Sequence, residues 1–252
     1  MFDKVYFLGD IHGRVPQSIK NLQKTAKANN EHYAIILLGD VGTNYFLDER
    51  DNVLKKDLAK RKNLTFYCLR GNHEARPEDL DGFVQYPDEE TEQLVYMESK
   101  YPNIKYLIDG KDYYFNGYII LAIGGAYSVD KFYRLSKGWT WFPHEQLTTK
   151  EMEAIYERWH DDYVDVVITH TCPFEWQPTD LFLPEVDQNT VDNTMERWLS
   201  NLENEIGYQS WLFGHFHDNR RILPGVYMLS NDIPVELYEA LNDSAKVYGG
   251  EI

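Results

Sequence analysis

The chain has 252 residues, of which 43% are hydrophobic, so it can bury a full core. Its 25 basic and 41 acidic residues give a net charge of −16, which does not favour binding to duplex nucleic acid. No stretch approaches the ~18 apolar residues of a transmembrane helix, and the chain enters its first strand without a signal sequence. We therefore expect a cytoplasmic protein without membrane contact, folded as a single domain over residues 1–252.

Short apolar runs alternate with polar, glycine-containing segments along the chain, which is typical of buried strands joined by loops and helices. This pattern indicates an α/β fold. The strands are predicted at residues 5–8, 35–38, 64–69, 164–168 and 211–213. Apolar spacing and capping residues predict helices at Pro16 to Ala28, Asp51 to Lys62, Glu89 to Lys100 and Thr148 to His160, and a helix start at Asn193.

A short polar segment that contains aspartate, asparagine or histidine follows each of the five predicted strands. These segments are Gly9–Gly13, Gly39–Asp40, Gly71–Glu74, Thr169–His170 and Gly214–His217. Ligands of open α/β sheets lie beyond the carboxyl ends of the strands, so we expect the five segments to meet at one edge. The glycines allow tight turns and close approach of the backbone there.

The side chains in these segments suit a pair of divalent transition metal ions better than magnesium or calcium. Two such ions about 3.5–4 Å apart neutralise a phosphate and acidify a bound water, so the indicated chemistry is hydrolysis of a phosphate ester. One ion would be held with Asp10, His12 and His217. The other would be held with Asn72, His170 and His215.

Two residues of the segments have roles of a different kind. Asp40 stands between the two halves of the ligand set, and its two oxygens make it the candidate for the carboxylate that bridges the ions. His73 is next to a ligand but is not needed as one. It could protonate the leaving oxygen or stabilise charge on the phosphoryl group, and a positioned acid contributes about 10²–10⁴ in rate.

The order of these motifs, D-x-H, G-D, G-N-H-E, H and G-H-x-H, resembles the calcineurin-like metallophosphoesterase superfamily over residues 5–217. The resemblance implies a two-sheet β-sandwich flanked by helices, with a dinuclear metal site at the C-terminal ends of the strands. It implies manganese as the first choice of metal, with iron, zinc, nickel or cobalt as alternatives. It places the catalytic histidine at His73 and the metal ligands at Asp10, His12, Asp40, Asn72, His170, His215 and His217.

The second motif departs from one branch of that superfamily. Protein serine/threonine phosphatases continue it as G-D-x-V-D-R-G, with an arginine that binds phosphate, whereas Gly39–Tyr45 contains no arginine. This favours the branch of phosphodiesterases and small-molecule phosphatases. Four short segments are similar to RNA lariat debranching enzymes: Glu74–Ala75, Pro102–Ile104, Ile123–Ala126 and Tyr133–Arg134. Those enzymes tend to carry cysteine in place of Asp10, however.

We therefore expect hydrolysis of a nucleotide or another small phosphate mono- or diester. The alternatives are a serine/threonine protein phosphatase and a catalytically silent binding scaffold.

Residues 75–101 and 127–147 are predicted insertions. The second insertion carries aromatic side chains, and its Arg134 is a candidate phosphate contact or structural ion-pair partner. The prolines of Cys172–Gln188 exclude a long helix directly after His170, so this segment is predicted as a loop. Because loops in such positions often carry specificity, it is a further candidate wall of the site. Oligomeric state does not follow from the sequence.

Overall fold

The computed structural model of the protein describes residues 1–248, and the side chains of residues 1–243. The last four residues of the predicted domain 1–252 lie outside this range. The strands are β1 Lys4–Leu8, β2 Tyr33–Leu37, β3 Leu64–Cys68, β4 Phe83–Asp88, β5 Gln93–Glu98, β6 Ile104–Tyr106, β7 Lys111–Phe115, β8 Tyr118–Ile123, β9 Val166–Thr169, β10 Ser210–Phe213, β11 Arg220–Leu223, β12 Val226–Met228 and β13 Val235–Glu236. The α-helices are α1 Gln17–Asn29, α2 Asp51–Ala59, α3 Lys131–Lys137, α4 Thr149–Trp159, α5 Thr194–Glu203 and α6 Leu237–Tyr248.

The strands form two mixed sheets. The first has the order β13-β1-β2-β3-β6-β5-β4, and the second has the order β11-β12-β10-β9-β8-β7. Strands β1, β2, β3 and β6 run parallel, as do β8, β9, β10 and β12. Antiparallel strands complete both edges of the first sheet. This architecture confirms the predicted α/β fold of two mixed sheets with flanking helices.

Both faces of the central parallel strands are buried, which explains why β2, β9 and β10 are mainly apolar rather than alternating. One face meets the opposite sheet, where Phe7, Ile36 and Tyr67 pack with Ile168 and Leu212. The outer face of the first sheet packs on α1 and α2, and that of the second sheet packs on α4 and α5. None of the helices in the described part of the chain is both long and apolar enough to cross a bilayer.

Most predicted elements are confirmed within a few residues, but the helix predicted at Glu89 to Lys100 is wrong. This segment is a turn followed by β5, which pairs antiparallel with both β4 and β6. Val95 is buried in the core between the sheets, and Met97 is also buried, so alternate residues of the strand point inward. Glu92 lies in the turn at φ 57°, a left-handed conformation that interrupts a helix. Tertiary pairing has therefore overridden local helix preference.

A buried ion pair anchors the β4–β5 hairpin to the sheet. Lys105 Nζ lies 2.6 Å from Asp88 Oδ1, and both side chains are at least nine-tenths buried. The Tyr67 hydroxyl donates to Asp88 Oδ2 at 2.8 Å. Glu90 also contacts the ammonium, but at 3.3 Å and with more solvent exposure. Asp88 is therefore the main counter-charge of the buried Lys105.

We expect Asp88→Ala to lower the free energy of unfolding by about 3 kcal/mol, because it leaves a buried ammonium without its closest partner. Urea unfolding followed by circular dichroism measures the change. The matched control is Asp81→Ala, which removes an exposed aspartate just before β4. A loss no larger than that of the control would contradict the anchoring role.

Candidate metal centre

The five predicted segments meet at one end of the two sheets. Each follows the carboxyl end of a parallel strand: β1, β2 and β3 in the first sheet, and β9 and β10 in the second. The site therefore spans the junction between the sheets. The predicted site residues placed there are Asp10, His12, Asp40, Asn72, His73, His170, His215 and His217.

The backbone approaches side chains of neighbouring loops so closely at this end that two positions require glycine. Gly39 has φ +97°, and a Cβ atom there would lie 2.1 Å from His170 Nδ1. A Cβ atom on Gly71 would lie 2.0 Å from Asp40 Oδ1. Neither distance is sterically accessible, so any side chain at these positions would displace a candidate ligand.

Four of the candidate ligands have left-handed backbone conformations. The φ angles are 42° for His12, 46° for Asp40, 68° for His215 and 56° for His217. Such conformations in residues other than glycine cost about 1–3 kcal/mol each and cluster at functional sites. The surrounding fold holds these residues in strained positions that direct their side chains toward one another.

The ligand atoms fall into two groups that could each hold a cation. Asp10, His12 and His217 form one group, and Asp10, Asp40 and His170 form the other, with ligand atoms within 4.8 Å of one another. Asp10 is the carboxylate common to both groups. Asp40, the predicted bridging carboxylate, belongs to the second group. Within the first group, His12 Nε2 and His217 Nε2 are 2.8 Å apart.

The remaining two predicted ligands border the second group. Asn72 Oδ1 lies 2.9 Å from His170 Nε2. The ring of His215 packs edge-on against that of His170 with centroids 5.0 Å apart, and the His215 backbone N–H donates to Asp10 Oδ2 at 2.8 Å. The structure thus brings all the predicted ligands together, with Asn72 and His215 on the His170 side.

Two hydrogen-bond acceptors face each other across the second group. His170 Nδ1 donates to the Leu38 carbonyl at 2.7 Å, which leaves Nε2 as a lone pair in the neutral ring. The Asn72 amide donates to Ser128 Oγ at 2.8 Å, while that hydroxyl donates to Glu145 at 2.6 Å. Asn72 Oδ1 is therefore turned toward His170 Nε2. A shared cation would reconcile these two acceptors.

The ionisation of the buried groups agrees with this interpretation. Burial lowers the pKa of His170 to about 4, so its ring is neutral near pH 7. Burial, and then repulsion from Asp40, raise the pKa of Asp10 well above its ordinary value. Asp10 Oδ1 is buried and has no hydrogen-bond partner among the described residues. The site holds carboxylates and neutral imidazoles with too little positive charge, and a divalent ion fits this donor set.

His73 and Arg134 lie beside the ligand groups. The backbone N–H of His73 donates to Asp40 Oδ1 at 2.8 Å, and its side chain is partly exposed. Arg134, on α3, has its Nη2 atom 3.2 Å from His73 Nε2. Its Nε donates to Asp130 at 2.7 Å, and its Nη1 donates to the Tyr45 hydroxyl at 3.1 Å. Arg134 therefore has an ion-pair partner and also reaches the site.

Several supporting residues had no recognisable sequence signal. Ser128 and Glu145 orient Asn72, but they belong to no motif and lie far from it along the chain. Glu74 ends the third motif, yet the sequence argument gave it no role. Its carboxylate accepts hydrogen bonds from the backbone of Gly71 at 3.0 Å and of Gly42 at 3.3 Å, so it ties two ligand loops together.

Two cavities flank the ligand groups. The first, of about 280 Å³, extends under the loop that follows β9 and is also lined by Asp40, His73 and His217. The second, of about 450 Å³, is lined by the same three residues together with Tyr45 and Arg134. A group held at the candidate metal centre could therefore carry substituents on both sides.

Glu196, on α5, lines the first cavity although it is only 3% exposed. Its Oε1 accepts a hydrogen bond from the Thr171 hydroxyl at 2.9 Å, while Oε2 has no partner among the described residues. Burial raises the pKa of Glu196 to about 7. In the sequence this glutamate is only the acid three residues after the predicted helix start at Asn193, whereas the structure turns its side chain to Thr171.

A sequence model of the calcineurin-like phosphoesterases matches residues 3–219. Comparison with curated proteins finds no matching relative. Among solved structures, TT1561 of Thermus thermophilus is 13% identical with a TM-score of 0.48, over 91% of this chain and 89% of that one. A second solved structure is 12% identical with a TM-score of 0.44, over 91% of this chain and 90% of its own. The family match includes every predicted metal-site segment.

We expect Ser128→Ala to weaken manganese binding about 10–100-fold, because the Asn72 amide loses the hydroxyl that orients it. Isothermal titration calorimetry on metal-stripped protein measures the affinity. The matched control is Ser136→Ala on α3, since the exposed Ser136 hydroxyl bonds to the Tyr133 carbonyl and to no other group in the described part of the chain. An affinity equal to that of the control would show that Ser128 does not position a ligand.

We expect Glu196→Gln to stabilise the metal-free protein, and by more at high pH. The raised pKa of Glu196 means that the folded state keeps a proton that the unfolded state loses, so the wild type loses stability as pH rises toward 7. The variant does not titrate there, and its advantage should grow by up to about 3 kcal/mol between about pH 5 and about pH 8. Urea unfolding at both pH values measures it. The exposed Glu185→Gln is the control, and a pH-independent difference for both variants would contradict the expectation.

Proposed function

Because the chain belongs to the calcineurin-like phosphoesterase family, we propose that it is a dinuclear metal-dependent phosphoesterase acting on a nucleotide or another small phosphate mono- or diester. The metal is proposed as manganese, with iron, zinc, nickel or cobalt as alternatives. His73 is the proposed catalytic residue. The proposed metal ligands are Asp10, His12, Asp40, Asn72, His170, His215 and His217.

The facing acceptors at the second ligand group are the observation that carries this proposal. His170 Nε2 and Asn72 Oδ1 approach to 2.9 Å although neither has a proton to offer the other. Beside them, Asp10 Oδ1 is buried and has no hydrogen-bond partner within the described part of the chain. Packing alone gives no reason to assemble such a set, whereas metal binding requires it.

Two bound divalent ions would neutralise the phosphate and lower the pKa of a water molecule, so that a nucleophile is available near neutral pH. Asp40 is the proposed bridging carboxylate, and Asp10 belongs to both ligand groups. The backbone bond from His73 to Asp40 fixes the position of the histidine beside the second group. The protein thus orients a phosphoryl group between the ligand groups and His73.

Arg134 and His73 have different proposed roles: Arg134 binds the phosphate, and His73 gives a proton to the leaving oxygen. In the structure Arg134 donates toward His73 Nε2, so that nitrogen carries no proton. An incoming phosphate competes for the guanidinium, since charge-assisted hydrogen bonds to phosphate are stronger than those to a neutral imidazole. Transfer of Arg134 to the phosphate would free His73 Nε2 to take up a proton from solvent and to pass it to the leaving oxygen.

The proposed substrate is small, and the proposed location is the cytoplasm. A net charge of −16 opposes a long phosphate track, whereas the cavities of about 280 and 450 Å³ suit compact substituents. Cys68 and Cys172 are both free and buried, which is consistent with a reducing compartment. Neither thiol is needed for the proposed chemistry.

We expect metal-stripped protein to hydrolyse bis-p-nitrophenyl phosphate or p-nitrophenyl phosphate only after manganese is added, and the preferred compound identifies diester or monoester chemistry. His73→Ala should lower kcat about 10²–10⁴-fold, because proton transfer to the leaving group is lost. Release of p-nitrophenolate measures both effects.

The control is His160→Ala, which removes an exposed histidine that stacks on Tyr156 away from the site. Equal losses in both variants would contradict the role of His73. Absence of turnover with manganese, iron, zinc, nickel and cobalt, in protein that binds them, would favour a silent scaffold over an enzyme.

A further inference from the structure

The first cavity has a polar feature that the proposed reaction does not use. Glu196 lines this cavity, and its Oε2 is buried without a hydrogen-bond partner among the described residues. A buried acceptor left unpaired is costly, and native proteins leave few of them. Glu196 belongs to neither of the two groups of side chains that could hold an ion, so metal binding does not account for it.

The walls of this cavity are largely apolar. They include Phe182, Leu183, Val186 and Phe216. Two amides, Gln177 and Asn193, also line the cavity, but they already bond to each other at 3.2 Å. The unpaired carboxylate oxygen therefore belongs to a cavity whose surface is mainly apolar and in which Gln177 and Asn193 are already engaged. A ligand rich in hydroxyls, such as a sugar, would leave most of its donors unpaired here.

The cavity opens onto the candidate metal centre itself. Asp40, Asn72 and His215 line it together with Glu196. A phosphate held by the ligand groups would therefore direct one of its ester substituents into this space. Its volume of about 280 Å³ is close to the lower end of small-molecule sites, which span about 300–1,000 Å³, so it suits a single compact ring system.

We propose that this cavity receives the heterocyclic base of a nucleotide ester, and that Glu196 Oε2 accepts a hydrogen bond from a ring N–H. This assignment rests on the proposed phosphoesterase function and narrows its substrate class. A base combines flat apolar faces with N–H donors at its edge, and this combination matches apolar walls around one unpaired acceptor. Thr171 holds the other carboxylate oxygen, so the position of Oε2 is fixed before the substrate arrives.

The first test compares matched substrates of the wild-type, manganese-loaded enzyme. p-Nitrophenyl thymidine 5′-phosphate has a base with a single N–H donor, and its N3-methyl analogue has none. The corresponding guanosine ester is compared with its N1-methyl analogue. We expect methylation to lower kcat/KM about 10–100-fold in at least one pair, because it leaves a buried oxygen without a hydrogen-bond partner. Unchanged kcat/KM in both pairs would overturn the assignment.

The second test replaces the carboxylate by an amide, which turns an N–H donor toward the base because Thr171 donates to the remaining oxygen. Glu196→Gln keeps the size of the side chain but replaces a carboxylate oxygen by an amide, and it should reduce the discrimination between methylated and unmethylated esters at least about tenfold. Glu185→Gln removes the same charge from an exposed position in the neighbouring loop and should keep the discrimination of the wild type. Equal discrimination in all three proteins would overturn the role of Glu196.

Hydrolysis of bis-p-nitrophenyl phosphate separates failure of this inference from failure of the proposed function. If the wild type cleaves that compound and methylation of the base has no effect, the phosphoesterase stands and the base assignment falls. If the wild type cleaves none of the esters with any of the five metals, the proposed function falls and the base assignment falls with it.

Discussion

Close approach of loops from two different sheets is the constraint on which the candidate metal centre depends. The ring of His170, from the second sheet, lies against Gly39 of the first sheet at a distance that excludes a Cβ atom. Gly71 meets Asp40 in the same way within the first sheet. The two sheets must therefore pack in one fixed relative position, which the apolar core between them enforces. Each ligand group contains residues from both sheets, so a small shift between the sheets would move the ligands of each group apart.

The sequence predicts those parts of this arrangement that depend on local patterns. Strands buried on both faces give continuous apolar runs, and the residues after Leu8, Leu37 and Phe213 are placed by chain direction alone. The hairpin of β4 and β5 was missed because its strand is defined by pairing with β6, and its acidic turn resembles a helix in composition. Long-range pairing leaves little trace in a short window of sequence.

The supporting contacts of the site were beyond sequence reasoning for a related reason. Ser128 meets Asn72 across 56 positions of the chain, and Glu196 meets Thr171 across 25. Serines and glutamates are common on protein surfaces, so neither residue is distinctive before the fold is known. By contrast, histidines and aspartates beside glycines at strand ends form a rare combination. The candidate ligands were therefore predictable, but the residues that orient them were not.

The left-handed conformations of His12, Asp40, His215 and His217 limit how the protein can change. A replacement at any of them must tolerate a positive φ angle as well as supply a ligand, so few single substitutions satisfy both requirements. The loop between β9 and α5 is different, since its regular structure consists of short 3-10 turns. Exchange of side chains in that loop can therefore change the wall of the first cavity while the framework of the candidate metal centre stays the same.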